Sequence, residues 1–157
     1  MTTTRLLIPE HLKEYLTGRF GDFNQAVPVR IPNEFDLYHI IFDLLEKRPA
    51  NCMVDRGNLE LVLPERNLGK RPENYNYLGS LSQQIITQKI ELMMWAEVHD
   101  FMDEQKHRYG IDYKDSVHVF ILKYGIESLS EDAFLKNYYR WRGKVRRREK
   151  KRAYSHK

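Results

Sequence analysis

The amino-acid sequence predicts a mainly α-helical fold: a helical domain with one small β-hairpin near residues 50–63, a long central helix near 80–109 and a C-terminal helix-turn-helix-like pair. Three observations carry that prediction. Residues 80–109 hold neither glycine nor proline, and a helix of that span is roughly 45 Å long at about 1.5 Å per residue. Phe35, Leu37, Tyr38, Ile40, Ile41, Phe42, Leu44 and Leu45 crowd a short segment behind Asn33, which marks a core helix. Residues 115–142 read as two helices parted by Gly125. A chain of 157 residues suits one domain, placed at 1–142, with 143–157 as a basic C-terminal arm expected to be partly disordered. Ten Tyr, seven Phe and two Trp argue for order through the body, because disordered chains are poor in such residues.

In chain order, Pro9 suits the first turn of a short helix on which Leu12, Tyr15 and Leu16 share a face, with Gly18 and Gly21 bracketing its end. Residues 27–32 alternate apolar and turn residues between Pro28 and Pro32, so they form at most an edge strand. Asn33 caps the next helix, with Asp36 three positions on, and Pro49 stops it. Residues 51–54 and 59–63 flank the turn cluster at 55–58, whose Gly57 can supply a positive φ; this is the expected hairpin, with Leu59, Leu61 and Leu63 facing the core. Residues 64–79 read as a solvated loop in which Arg66, Lys70, Arg71, Tyr75 and Tyr77 form a small basic and aromatic cluster.

On the central helix, Leu81, Ile85, Leu92 and Ala96 line one stripe and Ile90, Met94, Val98 and Phe101 another. So wide an apolar surface predicts cover on several sides, by other helices or by a second subunit. Gly110 ends it. Asp115 or Ser116 starts a further helix that Gly125 closes, and Ser128 with Glu131 forms a capping box for the last one.

Charge divides the chain. Residues 136–157 carry 11 of the 26 cations and one acid, Glu149, giving +10; the other 15 cations face 21 acids, giving −6 over residues 1–135. A basic arm on an acidic body predicts a polyanionic partner, although charged chain ends also serve simply to keep a protein in solution. The cations neutralise phosphates, while Tyr138, Tyr139 and Trp141 can stack on bases or pack the arm onto its own core.

Helix, glycine turn and a capped helix rich in Arg and Tyr give the outline of a helix-turn-helix. Two departures count against it: Ile121 stands four positions before Gly125, where the common motif has a small residue, and the turn at 126–130 is long. A plain helical hairpin covering the central helix is the competing expectation. On the helix-turn-helix reading, Asp132, Lys136, Asn137 and Arg140 approach the major groove of duplex DNA, Arg and Asn being the types suited to bidentate base contacts, and Arg142 also binds the nucleic acid. Lys144, Arg146, Arg147 and Arg148 then track phosphates.

No catalytic set is expected. There is no glycine-rich phosphate loop, Cys52 has no activating neighbour in sequence, and Tyr138 or Tyr139 beside Arg140 and Arg142 lacks the further residues of a DNA-cleaving tyrosine enzyme. His99, Asp103 and His107 share a helical face, yet spacing along one helix lets at most two adjacent ligands hold one ion, so no metal and no cofactor are expected. The lone cysteine excludes an internal disulfide, no apolar run resembles a signal peptide or a membrane span, and a cytoplasmic location follows as the expectation.

The segments VRIP at 29–32 with DLYH at 36–39, KRPENYNYL at 70–78, MWAEVHDF at 94–101 and SEDAFLKNYYRWR at 130–142 resemble a family of small bacterial proteins of prophages or other mobile elements. That family has no established activity, so the resemblance implies a setting and assigns no residue. The sequence as a whole points to a non-enzymatic DNA-binding regulator or accessory protein, working as a homodimer. The alternative is a structural or protein-interaction module, such as a phage component or assembly factor, whose basic tail binds an acidic partner.

Overall fold

The thirty-residue run without helix breakers forms one helix, Ser80–Tyr109, and the remaining elements are arranged around it. A computed structural model describes residues 2–23 and 26–155. In order, the elements are β1 (Thr3–Leu6), α1 (Glu10–Phe20), α2 (Asp36–Leu44), β2 (Glu46–Lys47), β3 (Leu59–Val62), β4 (Tyr75–Tyr77), α3 (Ser80–Tyr109), α4 (Tyr113–Tyr124) and α5 (Glu131–Ser155). The fold is mainly helical, as the sequence predicts, and its strands form two small antiparallel sheets.

The core-facing side of α3 is Ile86, Ile90, Met94, Val98 and Met102, a four-residue repeat with no solvent exposure. It packs against α1, α2, α4 and α5. Ile90, Met94 and Val98 therefore face inward as expected, whereas Leu81, Leu92 and Ala96 are exposed and Ile85 is half-buried. The two expected stripes lie on opposite sides of the helix, and the fold uses one of them as core.

Three polar nodes lock the helices together. The Glu97 carboxylate on α3 accepts the phenol hydroxyls of Tyr15 on α1 and Tyr124 on α4 and pairs with Arg19 on α1. The Glu14 carboxylate, almost wholly buried, accepts the backbone N–H groups of Glu127 and Ser128, each at 2.9 Å, and so fixes the α4–α5 connection. At the far end of α3, Asp103 accepts the Tyr138 hydroxyl from α5. Where α1 crosses α4 the backbones nearly touch: a Cβ on Gly18 would stand 2.2 Å from the Tyr124 carbonyl oxygen.

Several local expectations change. Residues 51–54 are not a strand, and β3 pairs with β1 instead, Thr3 opposite Val62 and Leu6 opposite Leu59. Gly57 has no positive φ; it is glycine because a Cβ there would lie 2.1 Å from the Leu6 carbonyl oxygen. Leu59 and Leu61 face the core as expected, and residue 29 meets β3 through a single parallel bridge to Leu61, which fits an edge position. The stretch at 64–79 contains β4, which pairs with β2. Lys70 there donates to the carbonyls of Phe42 and Asp43 at the C-terminal end of α2, and the Arg66 guanidinium lies 4.0 Å over Phe42, so these two cations are structural, while Arg71 is exposed.

Capping differs too. α2 begins after Phe35 with no side-chain cap, while the backbone carbonyl of Asn33 accepts from His39. The cap of α5 is Ser130, whose Oγ accepts the Ala133 N–H at 3.2 Å; Ser128 lies two residues too early because the helix starts at Glu131, and its N–H goes to Glu14 instead. Gly110 and Gly125 close α3 and α4 in left-handed conformations, as expected. The 142/143 boundary falls inside α5, which continues as helix through Ser155. Residues 156 and 157 lie outside the described residues.

Candidate nucleic-acid interface

The last helix has two unlike halves. Its first half is anchored: Phe134 and Tyr138 are fully buried, each burial contributing roughly 2–3 kcal/mol. The Phe134 ring lies 5.3 Å from Trp95 and 6.1 Å from Phe120, so it wedges between α3 and α4. Tyr138 packs at 4.7 Å on Tyr113 of α4, and burial together with the Asp103 carboxylate pushes its phenol pKa well above the ordinary range. Trp141 stacks on His99 of α3 with ring centroids 4.4 Å apart. The rings of Tyr138 and Trp141 thus fix the arm to the body, and only Tyr139 turns outward, 56% exposed.

The second half is bare. From Arg146 to Ser155 every residue is exposed, and ten consecutive exposed helical residues mean that the whole circumference faces solvent. Arg146, Arg147, Arg148, Lys150, Lys151 and Arg152 fall in this region, with Lys144 just before it, against one carboxylate, Glu149. Residues 143–155 form a rod of about 20 Å. Its exposed cations are concentrated on a support that the rest of the chain holds at one end.

The eight residues singled out from the sequence divide along the same line. Asn137 is turned inward: its carboxamide oxygen accepts from His99 Nε2 at 2.7 Å. Arg142 is tied down as well, donating to Asp103 at 3.2 Å and to the Tyr138 hydroxyl at 3.3 Å. Both are occupied in holding α5 onto α3, and the expectations that Asn137 approaches bases and that Arg142 binds nucleic acid give way to that. Lys136 pairs with Asp132 one turn earlier at 3.0 Å on an exposed surface, a contact of little energy. Arg140, Lys144, Arg146 and Arg148 are exposed, and Arg147 is exposed with its Nε directed to the Gly143 carbonyl at 3.3 Å. Lys150, Lys151 and Arg152 belong with them; the unbroken charge run was the signal for adding them.

The other constellations resolve into structure. His99 is buried, and desolvation lowers its pKa; Asp103 is engaged by Tyr138 and Arg142. Among the described residues no three His, Cys, Asp or Glu side chains converge to hold a metal ion, and no helix is long and apolar enough to cross a membrane. Cys52 is half-buried beside Arg48, whose guanidinium is committed to Asp55 and Asn76. A comparison with known proteins finds no family model, no curated protein and no solved structure that matches the chain.

Proposed function

We propose that the protein binds duplex DNA through the exposed half of α5, as a non-enzymatic regulator or accessory protein acting in the bacterial cytoplasm. The observation that carries this reading is the ten-residue exposed stretch 146–155, six of whose residues are cations, on a helix anchored by Phe134, Tyr138 and Trp141. A major groove about 12 Å wide admits an α-helix, and cations around the helix then meet the phosphates of both strands. Each neutralised phosphate releases condensed counterions, which supplies affinity without regard to sequence. Because Asn137 and Arg142 are held by α3, sequence preference is expected to be weak and to rest on Arg140 and Lys136. The setting in a prophage or other mobile element rests on the resemblance of the segments at 29–39, 70–78, 94–101 and 130–142.

The test is a titration of random-sequence duplex DNA with the full chain, followed by fluorescence anisotropy at two salt concentrations. Binding that weakens steeply with salt supports the reading. No binding at low salt, with capture of an acidic protein instead, supports the alternative of a protein-interaction module.

A further inference from the structure

The outer stripe of α3 changes partner halfway along. Leu81, Ile85, Gln88, Leu92, Trp95 and His99 recur at alternating steps of four and three, the spacing of a helix-packing seam. Over the C-terminal part of that seam α5 supplies the cover: Trp95 lies 5.3 Å from Phe134 and His99 4.4 Å from Trp141. Over the N-terminal part the cover is incomplete, Ile85 alone of its residues being half-buried. Leu81 and Leu92 are 69% and 64% exposed there, and Gln88 is exposed between them.

The uncovered ridge stands between two open furrows. One, of about 390 Å³, runs between α2 and α3 and is lined by Phe35, Ile40, Lys89, Leu92 and Met93. The other, of about 440 Å³, lies towards Leu7 and is lined by Gln83, Gln84 and Thr87. A ridge beside a furrow is self-complementary under two-fold rotation, since each copy's ridge can seat in the other's furrow. The charges agree. The α2-side furrow presents one acid, Asp36, and one cation, Lys89, and neither is paired within the chain among the described residues. Gln83, Gln84, Thr87 and Gln88 are uncharged, so a nucleic acid finds a single cation on this face, whereas a second copy finds both an apolar ridge and an opposite charge for each of its own.

We propose that this face, the N-terminal half of α3 with the adjoining edge of α2, is a two-fold interface with a second copy of the chain, Lys89 of each copy meeting Asp36 of the other. The interface rests on shape and charge at α3 and is independent of the nucleic-acid reading; it would give the assembly two copies of the basic α5 rod. Light scattering on the full chain without nucleic acid should report about twice the monomer mass of 18.9 kDa. Replacing both ridge residues, Leu81→Glu with Leu92→Glu, should return it to 18.9 kDa with an unchanged helical circular dichroism spectrum, while Leu122→Glu on α4, also well exposed, should not. Because a ridge variant can fail for reasons of folding, charge exchange gives a second test. Lys89→Asp alone should weaken dimerisation by about tenfold, and Asp36→Lys added on the same chain should restore it. A wild-type mass of 18.9 kDa at high micromolar concentration overturns the proposal, as does a dimer that survives the ridge substitutions or a charge exchange that fails to rescue.

Discussion

His99 on α3 donates from Nε2 to the carboxamide oxygen of Asn137 on α5 at 2.7 Å, in a site walled by Trp95 and Trp141. This bond, with the Asp103 contacts of Tyr138 and Arg142 one turn further on, decides which part of α5 is scaffold and which part is free. Asn137→Ala should therefore act on stability, lowering it by about 1–2 kcal/mol because a buried imidazole donor loses its acceptor. It should leave DNA affinity and sequence preference unchanged. Denaturant melts and anisotropy on the same variant separate the two effects.

Burial lowers the His99 pKa below its unfolded value of 6.5, with the Asn137 bond and the carboxylates of Asp103 and Asp100 opposing the shift. The folded state thus binds this proton less readily than the unfolded chain does. The stabilising contribution is complete above the unfolded value and is lost as pH falls from there towards the folded one. Melting temperature should fall as pH drops below about 6.5, before the carboxylates begin to titrate. His99→Gln should flatten that decline, and His11, also lowered by burial, should account for what remains.

Glu97 joins three donors from two helices, and Glu97→Ala leaves the hydroxyls of Tyr15 and Tyr124 without their acceptor and the Arg19 guanidinium with only the Tyr15 oxygen. A loss of about 3 kcal/mol is expected, with DNA binding by the folded fraction unaffected. Urea unfolding of the variant measures it.

Gly18→Ala tests the α1–α4 crossing. The new methyl would meet backbone at 2.2 Å, which no side-chain rotation relieves, so the helices must separate. Destabilisation of about 1–3 kcal/mol or more is expected by thermal melting, whereas Gly143→Ala on α5, whose nearest neighbour is the Arg147 side-chain tip at an ordinary contact distance of 3.7 Å, should be neutral or stabilising.

Features set by local chemistry were legible in the sequence. α3 has the predicted bounds because nothing inside it breaks a helix, and Gly110 and Gly125 end their helices as glycine at that position does. Features set by distant partners were not. β3 pairs with β1, more than 50 residues away, and no local turn signal records such a partner; the glycine at 57 is there to pass beneath Leu6 and not to make a hairpin. The candidate interface shows the same limit. Asn137 and Arg142 are residue types that read bases, and only their contacts with His99 and Asp103, 38 and 39 positions earlier, reveal that they are spent on packing. The charge run beyond them has no such partner among the described residues and stands exposed, as a run of like charges along a chain end is expected to.

The most direct test of the account is the salt dependence of duplex binding for the full chain against a chain ending at Arg142. With up to seven phosphates neutralised by residues 143–155, the slope of log affinity against log salt should be as steep as about −6 and should flatten sharply on truncation. Equal slopes for the two chains would contradict the claim that the exposed half of α5 is the DNA-binding element.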